Sequence, residues 1–598
     1  MRIAFVTRVF FLVFVGFACA GCGDSLTKID ARTDALLRER AELMGEDSVR
    51  PRTEYSPRQR LSRSDPAYGT PNTTNPGSSR LTFTVADETR DIEAQLALYA
   101  TEQTGDDAEE LTLIEAFRIT QTYSREFRRA EEDYILAAIR LLIEQHRWGP
   151  RFFADTSTSI SGAGDDGNFQ HALGIVNSLR ATQRLPYGGE VEARLVWNAT
   201  EQLRRTASGR YRQSTDLVLS GNIPLLRGAG MAAREDLIQR ERDLVYAARS
   251  FERFRRELLV DIASDYFNLI AQMKRIRNQE MQLQGLIGLE TQTAALVDAG
   301  RRREFQKQLT RNEVLNAKSD LANFQETYRL QLDRFKTRIG VKLDDSIRIV
   351  DLMLSLVEPQ ATLEAATNAG LTYRLDLQNQ RDQLADSRRQ VEVVRNQLLP
   401  DLSLSGRILI PTDPADREGG FGLDPNELDY LAQMTLALPV DREIERLNLR
   451  SSIISLERAQ RAYEQSRDNV TIESRAALRA VDLARFRLDL AEQQVDINEL
   501  RLEEQRARAE EVDPQSVVDT QEQLNNARNA RDQARSDLQI AILRYLLQTG
   551  QLRVGRDGWL EPPEGMPEVV EVMIIDDTSS SPDYPVEPNP DPTMNDGD

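Results

Sequence analysis

A chain of 598 residues with 76 Lys+Arg, 96 Asp+Glu, two His and two Cys excludes several protein classes at once. Cys19 and Cys22 stand at the extreme N-terminus and His146 and His171 are the only histidines, so disulfides, Cys-based metal sites and His-rich clusters are excluded from the body. The net charge of −20 lacks the Lys/Arg surplus that nucleic-acid phosphates require, although residues 561–598 alone hold eleven acids and no Lys or Arg.

The chain opens with Arg2 and Arg8 around an apolar and small run, Val9 to Ala18, of the kind that forms an export signal. It closes on Cys19-Ala20-Gly21-Cys22, where Ala-Gly-Cys resembles the lipobox of bacterial lipoproteins. That resemblance implies a signal over 1–21 and a diacylglyceryl group on Cys22. Cys19 departs from it, since an aliphatic residue is usual there, and the alternative is an ordinary secretory signal with an incidental Cys22. Acyl chains would hold the N-terminus at a membrane, at about 0.8 kcal/mol per buried CH₂. Residues 22–108 are polar and broken by Asp65-Pro66 and Asn75-Pro76-Gly77, and read as a linker with little independent fold. Beyond the N-terminus no apolar stretch reaches the ~20 residues of a membrane helix, which excludes a helical transporter.

From residue 109 one pattern occurs twice. A helix-like stretch from Leu111 to Arg147 meets Pro150, strand-like segments end at Ile223-Pro224-Leu225-Leu226, a long helix runs to Ala299, and a second follows Gly300 to about Arg338. The same order returns: Thr362 to Leu398, Pro400, strands ending at Leu438-Pro439-Val440, a helix to about Glu511, a break at Asp513-Pro514, and a helix to about Leu547. Pro224 and Pro439 are 215 positions apart, and Gly300 and Asp513 are 213 apart, so a duplication is the simplest account. The repeats are placed at 109–345 and 346–552. Pro150 and Pro400 are 250 apart, leaving about 35 extra residues among the first repeat's strands. The acidic, Pro-rich end, 553–598, reads as disordered.

Met231 to Ala299 is long enough for a helix of about 100 Å. Leu237, Leu244, Phe251 and Leu258, then Ile262, Leu269, Met273 and Ile276, form a narrow coiled-coil seam; Ile453, Leu456, Ala459, Tyr463, Val470, Ala477, Val481 and Leu488 match it in the second repeat. Such helices must pack against neighbours along their length. The short segments instead alternate apolar and polar: Val191, Ala193, Leu195 and Trp197; Leu217, Leu219 and Ile223; Leu402, Leu404, Ile408 and Ile410; Ala432, Met434, Leu436 and Leu438. Each is near the ~9–11 residues of a tilted membrane strand. A soluble sheet with one face on a core is the alternative, but narrow helical seams offer no broad surface to cover it. Phe152–Ile160 and His171–Thr182 add a weaker pair, so each chain supplies four or six strands. Four cannot close a barrel, and an open edge in lipid leaves backbone groups unpaired, so several copies must share one ring.

With these segments in this order, twice over, ending in Ile223-Pro224-Leu225-Leu226-Arg227-Gly228 and Leu438-Pro439-Val440-Asp441, the chain resembles the TolC-like outer-membrane efflux proteins. Leu398-Leu399-Pro400-Asp401-Leu402-Ser403-Leu404 looks like that family's entry into the membrane strand; Ala299-Gly300 and Val517-Val518-Asp519-x5-Asn525-Asn526-Ala527 look like its turns at the periplasmic tip. The resemblance covers about residues 109–550. It implies a mainly α fold with membrane β: duplicated coiled-coil hairpins building a periplasmic α-barrel, and strands joining a shared barrel, twelve in a homotrimer. It implies a passive exit duct for efflux or type I secretion, with outer-membrane lipid, a periplasmic adaptor and an inner-membrane pump as partners, and no cofactor, metal or nucleic acid.

The resemblance further implies a tip closed by acids near the second turn. Asp519 falls on one such position; the partner position, three earlier, is Ser516, with Asp513 nearby. Carboxylates gathered at a symmetry axis favour cations and make closure pH-sensitive. Gly300 permits the first turn. Arg301, Arg302 and Arg303 after it are candidates for ion pairs of the closed state or for adaptor contacts, or form a solvated loop. Trp148 and Trp197 suit a membrane interface, and Trp197 equally suits the lipid midway along its strand; His146 is a packing or surface residue. Two rivals stand beside the duct. A periplasmic adaptor or coiled-coil scaffold lipoprotein would have one hairpin, not two; an enzyme would need a nucleophile–His arrangement that the sequence lacks.

Overall fold

In the computed structural model the residues described are 25–44, 51, 109–165, 168–202, 211–354, 356–412, 423–508, 512–555, 560–561 and 571–573. After an N-terminal helix (α1, Ser25–Met44), the first repeat runs β1 (Glu109–Leu111), α2 (Leu113–Tyr123), α3 (Arg125–Trp148), four strands β2 (Arg151–Asp165), β3 (Asn168–Arg184), β4 (Glu190–Gln202) and β5 (Tyr211–Pro224), then α4 (Met231–Asp298) and α5 (Glu304–Ile339). The second runs β6 (Ile347–Ile349), β7 (Leu352–Leu354), α6 (Leu363–Tyr373), α7 (Leu375–Asn396), two strands β8 (Asp401–Ile410) and β9 (Asp429–Ala437), then α8 (Glu443–Ala507) and α9 (Pro514–Gln548). Short strands β10 (Arg553–Val554), β11 (Leu560–Glu561) and β12 (Glu571–Met573) are the last of the described residues.

The helices match pairwise. They measure 11, 24, 68 and 36 residues in the first repeat and 11, 22, 65 and 35 in the second. The repeats begin side by side, β1 pairing in parallel with β6. What read as one helix before each set of strands is two, broken at Ser124 and at Arg374. Both breaks have the same kind of neighbour. The glycine that ends the last helix of each repeat lies against it, in space a side chain could not share: a Cβ on Gly340 would lie 2.5 Å from the Tyr123 carbonyl, and one on Gly550 would lie 2.9 Å from the Tyr373 carbonyl carbon. Both glycines have positive φ, +91° and +72°, the left-handed stop to which glycine is suited.

Above the middle of the molecule α3, α4, α7 and α8 lie side by side, and below it α5, α4, α9 and α8 do. Each level is therefore four helices wide, with α4 and α8 running through both. The α4 seam is buried at Leu244, Phe251, Leu258, Ile262, Leu269 and Ile276. From Leu258 to Ala271, however, burial extends around the helix, where Val260, Ala263, Tyr266, Phe267 and Ile270 join the core, so the single seam fails there. The cause is the collar of β1, β6 and the neighbouring helices, into which the Tyr266 hydroxyl reaches, 3.0 Å from the Leu111 carbonyl and 2.7 Å from that of Val350. By contrast α8 keeps one seam, and Ile444, Leu447, Ile472, Phe486, Ile497 and Leu500 stay exposed on its outer side.

Three expectations need correction. The linker 22–108 contains α1, which sets Leu37 into the main core and packs on α3. The tail 553–598 is not wholly without structure: β12 pairs with β7, and the fully buried Arg255 of α4 donates to the carbonyls of Val554 (2.5 Å) and Gly555 (3.2 Å). Partners supplied by distant segments, rather than local pattern, hold these described residues. Finally, of the four or six strands left open, the chain supplies six to one antiparallel sheet, in the order β2-β3-β4-β5-β8-β9, so the twelve per trimer that the resemblance implied would count only four of them.

At the second helix break the Arg374 guanidinium grips Asp376 with two bonds, at 3.1 and 2.7 Å, and also contacts Glu473 and Gln548. Arg253 of α4 pairs with the same Asp376. Burial alone would raise the Asp376 carboxyl, but the bonds from Arg374 and the charge of Arg253 outweigh it and pull the pKa down to about 2. A depressed carboxylate stabilises the fold above its unfolded value of 3.8 and loses that contribution as pH falls toward 2. In melts of the detergent-solubilised protein, Asp376→Asn should be less stable than the parent at pH 7, with the gap narrowing between pH 4 and 2. A gap independent of pH would show that the carboxylate charge is not what counts.

Candidate functional site: the sheet faces and the hairpin tips

The ladder registers unite the alternating strands into two continuous faces, because residues directly opposed in a sheet share a side. One row runs Ala181, Ala193, Leu219 and Ile408 to Tyr430, and the next runs Leu179, Leu195 and Leu217 to Ile410. Phe152 and Ala154 of β2 extend these rows at one edge; Leu404 with Met434 and Leu402 with Leu436 belong to the same side at the other. Many members are exposed in the single chain, among them Phe152, Leu179, Leu404, Tyr430, Met434 and Leu436. On the opposite side lie Asp155 with Ser178, Arg180 with Arg194, Glu192 with Ser220 and Arg407. A sheet apolar on one face and, with Phe153, Val218, Leu409 and Leu431 interspersed, mainly polar on the other suits lipid outside and water inside.

Where the polar face meets the helices it forms a hollow of about 900 Å³. Arg151, Arg180, Arg184, Arg407, Glu190 and Glu192 line it, with Arg194 beside Glu192 at 2.9 Å. The Arg180 guanidinium sits 4.8 Å from the Phe153 ring centre, and Arg184 faces the buried Glu144 at 3.6 Å. Arginines thus outnumber the carboxylates around the base of the sheet. Trp148 lines this hollow rather than the apolar face; Trp197 does lie on the apolar face, opposite Asn177 and Thr215. His146 is exposed near the end of α3.

At the far end of the helices the two hairpin turns meet. Gly300, at φ +71°, makes the first turn. Arg302 reaches across it, its Nη2 donating to the Val512 carbonyl at 2.6 Å, and Gln306 Nε2 donates to Asp513 Oδ1 at 3.3 Å. Asp513 precedes α9, whose Pro514 suits the first helical position because its missing N–H would be unpaired there anyway. Ser516 is half-buried and accepts from Gln505 Nε2 at 3.2 Å. Asp519 is exposed between buried Val518 and Thr520 and accepts from Gln515 at 2.8 Å, one turn earlier. Arg301 and Arg303 are exposed, the latter's backbone N–H donating to Gln306 Oε1 at 3.2 Å. The structure therefore joins Arg302 to the Asp513 turn and leaves Asp519 exposed on α9. Cys22 lies outside the described residues.

The sequence reading missed the polar contact above these turns. Asn278 of α4 donates to Asn529 and Asp532 of α9, both at 3.0 Å, and Asn525 donates to Gln279 at 3.0 Å and to Gln282 at 2.5 Å. Buried amides here join the two hairpins beside an apolar contact nearer the turns, where Leu286 of α4 packs with Val314 and Ala317 of α5 and Val518 of α9. The only signal available was the density of Asn and Gln on α9, which reads as surface until its partner is known.

Among the described residues no group of three or more His, Cys, Asp or Glu is placed to hold a metal, and no helix is long and apolar enough to cross a membrane. Residues 366–547 match the model of a family described as outer membrane efflux protein. The fold is that of the TolC-like outer-membrane channels. The outer-membrane channel OprN is 17% identical, covering 73% of this chain and 90% of its own, with a TM-score of 0.56. VceC of Vibrio cholerae is 15% identical over 73% and 96%, at 0.57, and the open-state channel MtrE of Neisseria gonorrhoeae is 14% identical over 75% and 90%, at 0.55. No curated protein matches the chain. The family match lies wholly within the second repeat, the one with two strands.

Proposed function

We propose that this protein is a passive exit duct of the outer membrane, a homotrimer whose strands form a barrel in lipid and whose hairpins form a tunnel through the periplasm. It serves efflux or type I secretion, its tips meeting a periplasmic adaptor and an inner-membrane pump, and acyl chains on Cys22 add a second hold on the membrane. The observation that carries the reading is the apolar face that crosses the six strands in the rows from Phe152 to Tyr430 and from Ala154 to Ile410. A single chain leaves β2 and β9 as open edges, and α3 and α5 at one flank with α8 at the other. The strand and helix flanks coincide, because β2 follows α3 and β9 precedes α8. Ring closure between copies would cover the exposed apolar residues of α8 and pair both strand edges in one step.

In this reading the Arg302–Val512 bond ties the two turns of each chain in the closed state. Purified trimer in planar bilayers should conduct poorly, and Arg302→Ala should raise the open probability several-fold; Asp519→Ala tests the acidic position in the same assay. Protein that stays soluble once the N-terminal lipid is removed, and that gives no conductance in any variant, would favour the scaffold reading and end this one.

A further inference from the structure

Resting on the trimeric reading, we infer that the membrane barrel of this protein has eighteen strands, because the hairpin β2–β3 is part of its wall. The second repeat passes from α7 to α8 through two strands, whereas the first passes from α3 to α4 through four. The additional hairpin is no appendage. β3 pairs with β4 without a break from Arg184↔Glu190 to Ala172↔Gln202, and β2 pairs with β3 from Arg151↔Thr182 to Asp165↔Asn168. At 15 and 17 residues, both exceed the ~9–11 that a tilted membrane strand requires.

The side-chain pattern agrees. Phe152, Ala154 and Ile160 continue the apolar face through Ala181, Leu179 and Leu173, while Asp155, Ser157 and Ser159 continue the polar one. Thr156 and Asn177 fall on the apolar face, where the Thr156 hydroxyl donates to Asn177 Oδ1 at 2.9 Å. The turn joining β3 to β4 is fastened to the scaffold. The N–H of Gly230, at the start of α4, donates to the Tyr187 carbonyl at 2.9 Å, and Gly189 lies so close to β5 that a Cβ would fall 1.9 Å from the Asn222 carbonyl oxygen.

Girth supplies an independent argument. Four helices per chain make twelve in a trimer, and at interaxial distances of 8–10 Å these enclose a ring about 95–120 Å around. Eighteen strands spaced ~4.8 Å and tilted 35–45° span about 105–120 Å, and twelve span only about 70–80 Å. Six strands per chain therefore let the sheet meet the helices without a step in width. The backbone-to-backbone diameter is then about 36 Å rather than about 24 Å.

Electron cryo-microscopy of the full-length protein in lipid nanodiscs tests this directly, beside a variant lacking residues 151–189. The deletion joins Pro150 to Glu190, whose side chain lies 3.9 Å from Arg151. The expected result is a threefold particle with six strands from each chain and a barrel of about 36 Å, narrowed to about 24 Å in the variant. A threefold particle with twelve wall strands and the hairpin outside would overturn the inference and leave the channel reading intact, as would equal widths in both proteins. Particles without threefold symmetry would overturn the channel reading itself. Should the deletion fail to fold, the strand count of the parent protein decides.

Discussion

Leu195→Arg should abolish insertion of this protein into membranes, whereas Ser220→Arg should leave insertion intact. Leu195 lies on the apolar face in mid-sheet, in register with Leu179 on one side and Leu217 on the other. Arginine facing lipid in the middle of a barrel strand costs about 2–4 kcal/mol, falling toward the interfaces. A ring of three copies takes that cost three times, about 6–12 kcal/mol, comparable to the whole stability of a typical domain. Ser220 is on the polar face between Glu192 and Arg407, where another cation stays in water and bears on ion selectivity. Urea-resistant membrane association and the trimer band on mild gels would report both variants. Equal behaviour of the two would mean that the sheet does not separate lipid from water.

The second large effect is expected at the paired glycines. Gly340→Ala and Gly550→Ala should each destabilise the protein by about 2–5 kcal/mol, through left-handed strain and overpacking together. The collision is with backbone at the opposing helix break, which cannot rotate away as a side chain would. Gly300→Ala is the control. It shares the positive φ of +71° but has nothing within 4 Å of its would-be Cβ, so it should cost only the strain, about 1–2 kcal/mol. Thermal melts of the three variants check this; three equal losses would show that close packing on the breaks contributes nothing.

The helical plan was readable because coiled-coil periodicity is local: every seam residue of α4 announces the same face, whatever packs there. The break points at Ser124 and Arg374 were not, since nothing near them in sequence is an obvious helix breaker and the glycine packed against each lies some 200 residues ahead. Strand existence was legible through alternation, most clearly for β4, β5, β8 and β9. β2 and β3 were weaker because Ser157, Ser159, Thr156 and Thr158 blur the contrast between their faces. At the tips, Gly300 and Asp513 marked the turns, but the Arg302–Val512 bond and the Asn525–Gln279 contact join segments roughly 200 residues apart and left no periodic trace.

By itself, then, the sequence determined the duplication, the four long hairpin helices and the alternation of the membrane strands, all of which follow from patterns within a few turns or residues. Only the tertiary structure decided that six strands share one sheet, that the C-terminal segment is pinned by Arg255, and that buried amides join the hairpins as well as apolar side chains. The physical reason is the same throughout. Periodicity tells a segment which face to bury, but register and partner are settled by backbone and side-chain hydrogen bonds between distant parts of the chain.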